Sequence, residues 1–172
     1  MTIDRRWTGY LTAAGSAAML VGAIDPLEGS VLILAGSALV AGAGRFGGGE
    51  PRLVGNRIRL FLLIIVGVVA LWVLSALGGI GGPTGPSYWW SLLVLPYLAG
   101  WSLSIWAPDS PRWMLFAGML VGAWYLVLAA MILVRPTSAG GAARIGLALV
   151  VAATGAVTIG GCLWRSGQRP VA

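Results

Sequence analysis

The sequence predicts an all-α, polytopic membrane protein, a bundle of six transmembrane helices with both termini in the cytoplasm. Three observations carry this prediction. Hydrophobic residues make up 58% of the 172-residue chain and charged residues 9%, too few polar groups to cover a water-soluble globule of this size. Apolar runs long enough to cross a hydrocarbon core recur along the chain, separated by Gly- and Pro-rich clusters that stop helices. The arginines gather on one side once those runs alternate across a bilayer. The whole of 1–172 therefore reads as a single integral membrane domain.

The first helix is expected over 7–24. The Arg5-Arg6 pair ahead of its apolar run also has the form of a cleaved leader, but Met1 is present and the run is taken as a retained helix. The second is expected over 26–43, opening at Ile24-Asp25-Pro26-Leu27-Glu28-Gly29-Ser30. Here Asp25 suits an N-cap, Pro26 the first helical position that needs no backbone N–H, and Glu28 the N3 position of a capping box.

Helix three, 59–77, follows the stop Gly47-Gly48-Gly49-Glu50-Pro51, and helix four, 89–106, follows a Gly- and Pro-rich stretch ending at Pro86. The cluster Ala107-Pro108-Asp109-Ser110-Pro111 precedes helix five, 113–134. Arg135 to Gly141 precedes helix six, 143–164. Each span holds about 18 to 22 residues, or about 27 to 33 Å at the helical rise, against a hydrocarbon core of about 30 Å. The connections leave no room for a soluble domain.

Orientation follows from the arginines, which supply all eleven basic residues. With the N-terminus inside, Arg5, Arg6, Arg45, Arg52, Arg57, Arg59, Arg112, Arg165 and Arg169 share one side, and only Arg135 and Arg144 the other. Asp25 and Glu28 then lie on the outer face. Trp7, Trp106, Trp113 and Trp164 fall at the inner boundary and Tyr88, Trp89 and Trp90 at the outer one, as an interfacial aromatic belt does. Arg52, Arg57 and Arg59, with Arg45 nearby, suit the headgroups of membrane lipids. The absence of Lys, with abundant Ala and Gly, reflects a GC-rich genome, and the expected location is the plasma membrane of a bacterium.

Small residues mark where helices approach closely. Those faces are expected at Ala14, Ala18 and Gly22 of helix one, Gly118 and Gly122 of helix five, and Ala148, Ala152, Ala156 and Gly160 of helix six. A resemblance between Arg6-Trp7 with its following helix and Arg112-Trp113 with its own has no constant period and is read as composition.

Inventory argues against catalysis. The chain has no His and a single Cys162, so imidazole-based triads and zinc or haem ligation by His have nothing to build on, and no metal site is expected. The glycines of 42–49 lack the Lys of a phosphate loop. The arginines are dispersed over the loops, which points away from nucleic acid.

Two candidate sites remain. One is the acidic turn, Asp25 and Glu28, an outer-face cation or partner site if it is more than a helix cap. The other is an aromatic pocket of Tyr97, Trp101, Trp124 and Tyr125 beside Pro96, where a lipid, quinone or carotenoid would stack. The expected function is a non-enzymatic accessory or scaffolding subunit, meeting other membrane subunits or copies of itself. The alternative is a small homo-oligomeric channel or transporter for a neutral solute.

Overall fold

Asp4 opens the first helix. Its carboxylate accepts from the Arg6 amide at 3.4 Å, satisfying one donor that a helix start leaves orphaned, and α1 then runs Arg5–Gly22. The computed structural model describes residues 4–25, 28–79, 88–107, 110–134 and 141–168. Among these residues there is no strand, and 88% are helical.

The second helix, α2 (Ser30–Phe46), begins later than expected. Asp25 does make the capping bond its position predicts, Oδ1 accepting from the Glu28 amide at 3.3 Å, and its carbonyl accepts from the Gly29 amide at 2.7 Å. Continuous helix nonetheless starts at Ser30 with Gly29 in the N-cap position; Pro26 and Leu27 lie outside the described residues. Gly29 sits there for a steric reason. A Cβ on Gly29 would strike the Gly22 carbonyl oxygen, and one on Gly22 would lie 2.5 Å from the Gly29 carbonyl oxygen. The turn is thus set by where the two backbones touch.

Helix α3 (Pro51–Ala76) starts well before the expected 59. Glu50 is its N-cap and Pro51 its first residue, where the missing N–H is no loss. The Gly-Pro cluster is therefore both the stop of one helix and the start of the next. Its glycines stop α2 by a Schellman motif: Gly48 adopts φ 70°, and the Gly49 amide donates to the Gly44 carbonyl at 3.2 Å. Helix α3 ends in the same way at Gly78, φ 93°, with Gly79 bonding back to Leu74 at 3.0 Å.

The expected fourth helix is divided. A 3-10 segment, Tyr88–Val94, leads into α4 (Leu95–Trp106), and Pro96 lies in the first turn of α4 instead of kinking its middle. An unbroken α-helix would need the residue 96 nitrogen to donate to Leu92, which proline cannot do. The last two helices, α5 (Arg112–Val134) and α6 (Gly141–Gly167), fall within a turn of their expected bounds.

The most extensive packing pairs helices in chain order, α1 with α2, α3 with α4 and α5 with α6. Small residues sit at each crossing. A Cβ on Gly15 would lie 2.6 Å from the Gly36 carbonyl oxygen, Tyr97 covers Gly67, and a Cβ on Gly122 would lie 2.9 Å from the Gly155 carbonyl oxygen. The expected helix-five face, Gly118 and Gly122, is buried. The other two expected faces are corrected. On α1 the buried positions are Gly15, Ser16, Met19, Leu20 and Gly22, with Ala14 exposed; on α6, Ala148 is buried but Ala156 and Gly160 are exposed. Four residues turn a helix about 40° past a full circle, so a strict four-residue spacing drifts off the contact line.

Among the described residues, three helices are long and apolar enough to cross a membrane: α3, α5 and the Arg144–Gly167 part of α6. The stretches Ser30–Phe46 and Leu92–Trp106 are apolar but shorter.

Candidate functional site

Both sequence-predicted sites converge on one end of the bundle, around the α1–α2 turn. Three indoles from three different helices donate to that hairpin. Trp101 of α4 donates Nε1–H to the Met19 carbonyl, Trp124 of α5 to the Ile24 carbonyl, and Trp72 of α3 to the Ser30 hydroxyl, each at 3.2 Å. An indole has one polar atom on a large apolar body, so it can fill a helix interface and still satisfy a carbonyl at its tip. Asp25 and Glu28 lie on the exposed surface of the turn those indoles hold.

Of the four aromatic residues proposed to line a pocket, three are brought together. Tyr97, Trp101 and Tyr125 are each at most 3% exposed, and the Trp101 and Tyr125 rings lie 5.8 Å apart at 43°. Trp124 is separated from them, 39% exposed, with its nitrogen on Ile24. Adjacent residues on a helix point about 100° apart, so Trp124 and Tyr125 face different ways. The three buried rings join Met19, Ile33, Ile64, Val68, Ile105 and Met114 in one core cluster.

A second polar junction ties α4 to α6. The Ser102 and Thr158 hydroxyls are 3.3 Å apart, and Trp106 donates Nε1–H to the Thr158 carbonyl at 3.3 Å. Gly161 lies directly under the Trp106 ring. These bonds lock helices distant in sequence.

Sequence reasoning missed Arg57. Expected in a connecting segment, it lies inside α3, 4% exposed, on the buried face it shares with Leu60, Ile64, Gly67 and Val68. Its Nη1 donates to the Ser104 carbonyl at 3.2 Å and its Nη2 to the Ser110 hydroxyl at 3.1 Å. One side chain thereby joins α3, the end of α4 and the α4–α5 connection. With Pro51 at N1, Arg57 falls on the helix in register with its apolar stripe, a reading that competes in the sequence with Pro51 as a stop.

Beside Arg57 is a cavity of about 220 Å³. Its walls are Thr8 and Thr12 of α1, Val40 and Gly44 of α2, and Glu50, Leu53, Val54 and Arg57 of α3, with Gly49 between the last two helices. The cavity lies at the far end of α1 from Asp25, about 25 Å away at the helical rise. Among the described residues no group of three or more His, Cys, Asp or Glu side chains is placed to hold a metal ion. Comparison with family models, curated proteins and solved structures finds no match.

Proposed function

We propose that the chain is a non-enzymatic integral membrane protein that acts as a scaffolding or accessory subunit, joining its partner helix to helix through the outer face of α6. The observation that carries this reading is a second small-residue seam on that helix. Its inner face, with Ala148, Gly155, Thr158 and Cys162 buried, is used within the chain. On the opposite side Gly146, Ala153 and Gly160 are exposed at seven-residue spacing, and a Cβ on Gly146 or Gly160 would meet nothing. Seven-residue spacing keeps a seam facing one partner with a drift of about 20° per repeat. Small residues on such a seam let another helix approach closely in lipid. Only 22% of the apolar span of α6 is buried, the least of the three long helices.

The same reading places six spans across the plasma membrane of a bacterium, with both termini cytoplasmic. Support comes from Arg57, whose bonds bring the start of α3 to the end of α4 and to Ser110. The cavity brings the start of α1 and the end of α2 to the same place. That alternation is what collects the arginine-bearing segments on one face. Residues Tyr97, Trp101 and Tyr125 fill the space between their helices themselves, which favours packing as their role over holding a quinone or carotenoid.

The test is the assembled mass in mild detergent. Wild-type protein is expected to run as an oligomer or with a partner, and Gly160→Leu as a folded monomer. Wild-type protein that is monomeric at every concentration, or a Gly160→Leu variant that assembles unchanged, would sink the reading. A homo-oligomer that passes a neutral solute into liposomes would favour the channel alternative.

A further inference from the structure

The arginines of 52–59 separate onto two faces because α3 starts at Pro51. Arg57 is buried and spent on Ser104 and Ser110. Counting from Arg52, the residues three, four and seven positions on are Gly55, Asn56 and Arg59, which share one face of the helix with it. Arg52 and Arg59 are exposed, Gly55 and Asn56 are partly buried between them, and a Cβ on Gly55 would meet nothing within 4 Å. Among the described residues, the side chains of Arg52, Asn56 and Arg59 make no hydrogen bond or ion pair. The adjoining acid, Glu50, lines the cavity with Leu53, Val54 and Arg57, and α3 itself holds no acidic residue. This face therefore presents two guanidiniums and an amide around an open stretch of backbone.

Its depth suits the edge of a bilayer. Helix α3 has 26 residues, about 39 Å at the helical rise, close to the roughly 40 Å of a hydrocarbon core with its headgroup layers. Residues 60–76 carry no charge, so the stretch from Arg52 to Arg59 falls where headgroups lie. Beyond Arg59 the same face continues through Leu62, Leu63 and Val66, all exposed.

We propose that this face of α3 binds an anionic phospholipid, its phosphate over Gly55 between Arg52 and Arg59, its acyl chains along Leu62, Leu63 and Val66. The assignment rests on the membrane reading above. Guanidinium offers paired N–H donors to phosphate oxygens, the Asn56 amide adds a further donor, and the absent side chain at Gly55 lets the phosphate approach the helix. A zwitterionic lipid would bring its ammonium to a face with two cations and no carboxylate.

The experiment uses the full chain, first floated with vesicles to establish insertion and then titrated in detergent with phosphatidylglycerol or phosphatidylcholine under native mass spectrometry. Protein that does not float overturns the membrane reading and this proposal with it. Inserted wild-type protein is expected to retain phosphatidylglycerol preferentially, and equal retention of the two lipids overturns this proposal alone. Arg52→Gln and Arg59→Gln should each lower retention of phosphatidylglycerol about fivefold. Arg45, exposed in the last turn of α2, is off this face, so Arg45→Gln should leave retention unchanged; a loss equal to that at 52 and 59 would mean a diffuse basic surface and overturn the site. Gly55→Leu keeps both arginines and adds a good helix former in open space. It should abolish the preference while the thermal midpoint is held, and an unchanged preference would overturn the placement of the phosphate. Soluble glycerol phosphate that displaces the lipid at equal concentration would assign the face to a free anion and overturn the lipid assignment.

Discussion

At the Asp25 end, the α1–α2 hairpin is held by neutral donors from three other helices, each on a separate indole, and the buried one, Trp101, also fills the space around it. At the Arg57 end a single cation reaches both the Ser104 carbonyl and the Ser110 hydroxyl, and α1, α2 and α3 line a cavity beside it. The difference separates filling from joining. Where the rings do both, the hydrogen bond is the smaller part, because a neutral bond contributes about 1 kcal/mol net while a large buried aromatic contributes about 3 to 5 on truncation. Where a flexible cation does the joining, the volume is left for something else.

The sharpest way to break this contrast is at Trp101, which is 1% exposed. Trp101→Ala is expected to destabilise the bundle by about 3 to 5 kcal/mol, through the cavity left among Tyr97, Tyr125 and Met19. Trp101→Phe keeps most of the ring and removes only the N–H, and should cost about 1 kcal/mol beyond its small volume loss. Met19 still accepts from the Ala23 amide at 3.2 Å, so its carbonyl is not orphaned. Unfolding curves in detergent measure both variants. Equal losses for the two would show that the donor holds this end.

At the other end the expectation reverses. Arg57→Met keeps a long apolar stem but removes the bonds to Ser104 and Ser110, and should cost about 1 to 3 kcal/mol. The Ser104 carbonyl keeps the Ser110 hydroxyl at 2.7 Å, which limits the loss. Hydrogen exchange should quicken over 104–112, where the link to α3 is cut, and stay unchanged around the Asp25 turn. Exchange that rises equally at both ends would mean that the two regions are not independent.

How much of this was legible beforehand follows from the kind of signal each element carried. Helices α5 and α6 were readable because a long apolar run between Pro- and Gly-rich stops has one interpretation. The start of α3 was not, because proline reads as a stop for the preceding helix and as an N1 residue for the following one, and the sequence does not rank the two. That ambiguity hid Arg57. Pairing Tyr97 with Trp101 was legible from four-residue spacing, whereas adding Trp124 beside Tyr125 ignored the angle between neighbouring positions. The acidic turn was readable as a capping bond, but the three indoles that reach it come from distant segments, and no local pattern announces them.

The smallest expected effect concerns Trp124, one of the two exposed donors. Its ring is 39% exposed, so Trp124→Phe loses little buried area, and lipid or water takes the place of whatever contact is lost. The Ile24 carbonyl that it serves lies at an exposed turn, where an interfacial water can replace the indole donor at small cost. The change in stability should therefore be about 0.5 kcal/mol or less. Trp101→Phe removes the same type of bond from a carbonyl that is buried under the same hairpin, so the pair isolates burial as the variable. Measured side by side, Trp101→Phe should exceed Trp124→Phe; the opposite order would mean that the hairpin is held from its exposed edge, and the aromatic core would then be filling space without fixing the turn.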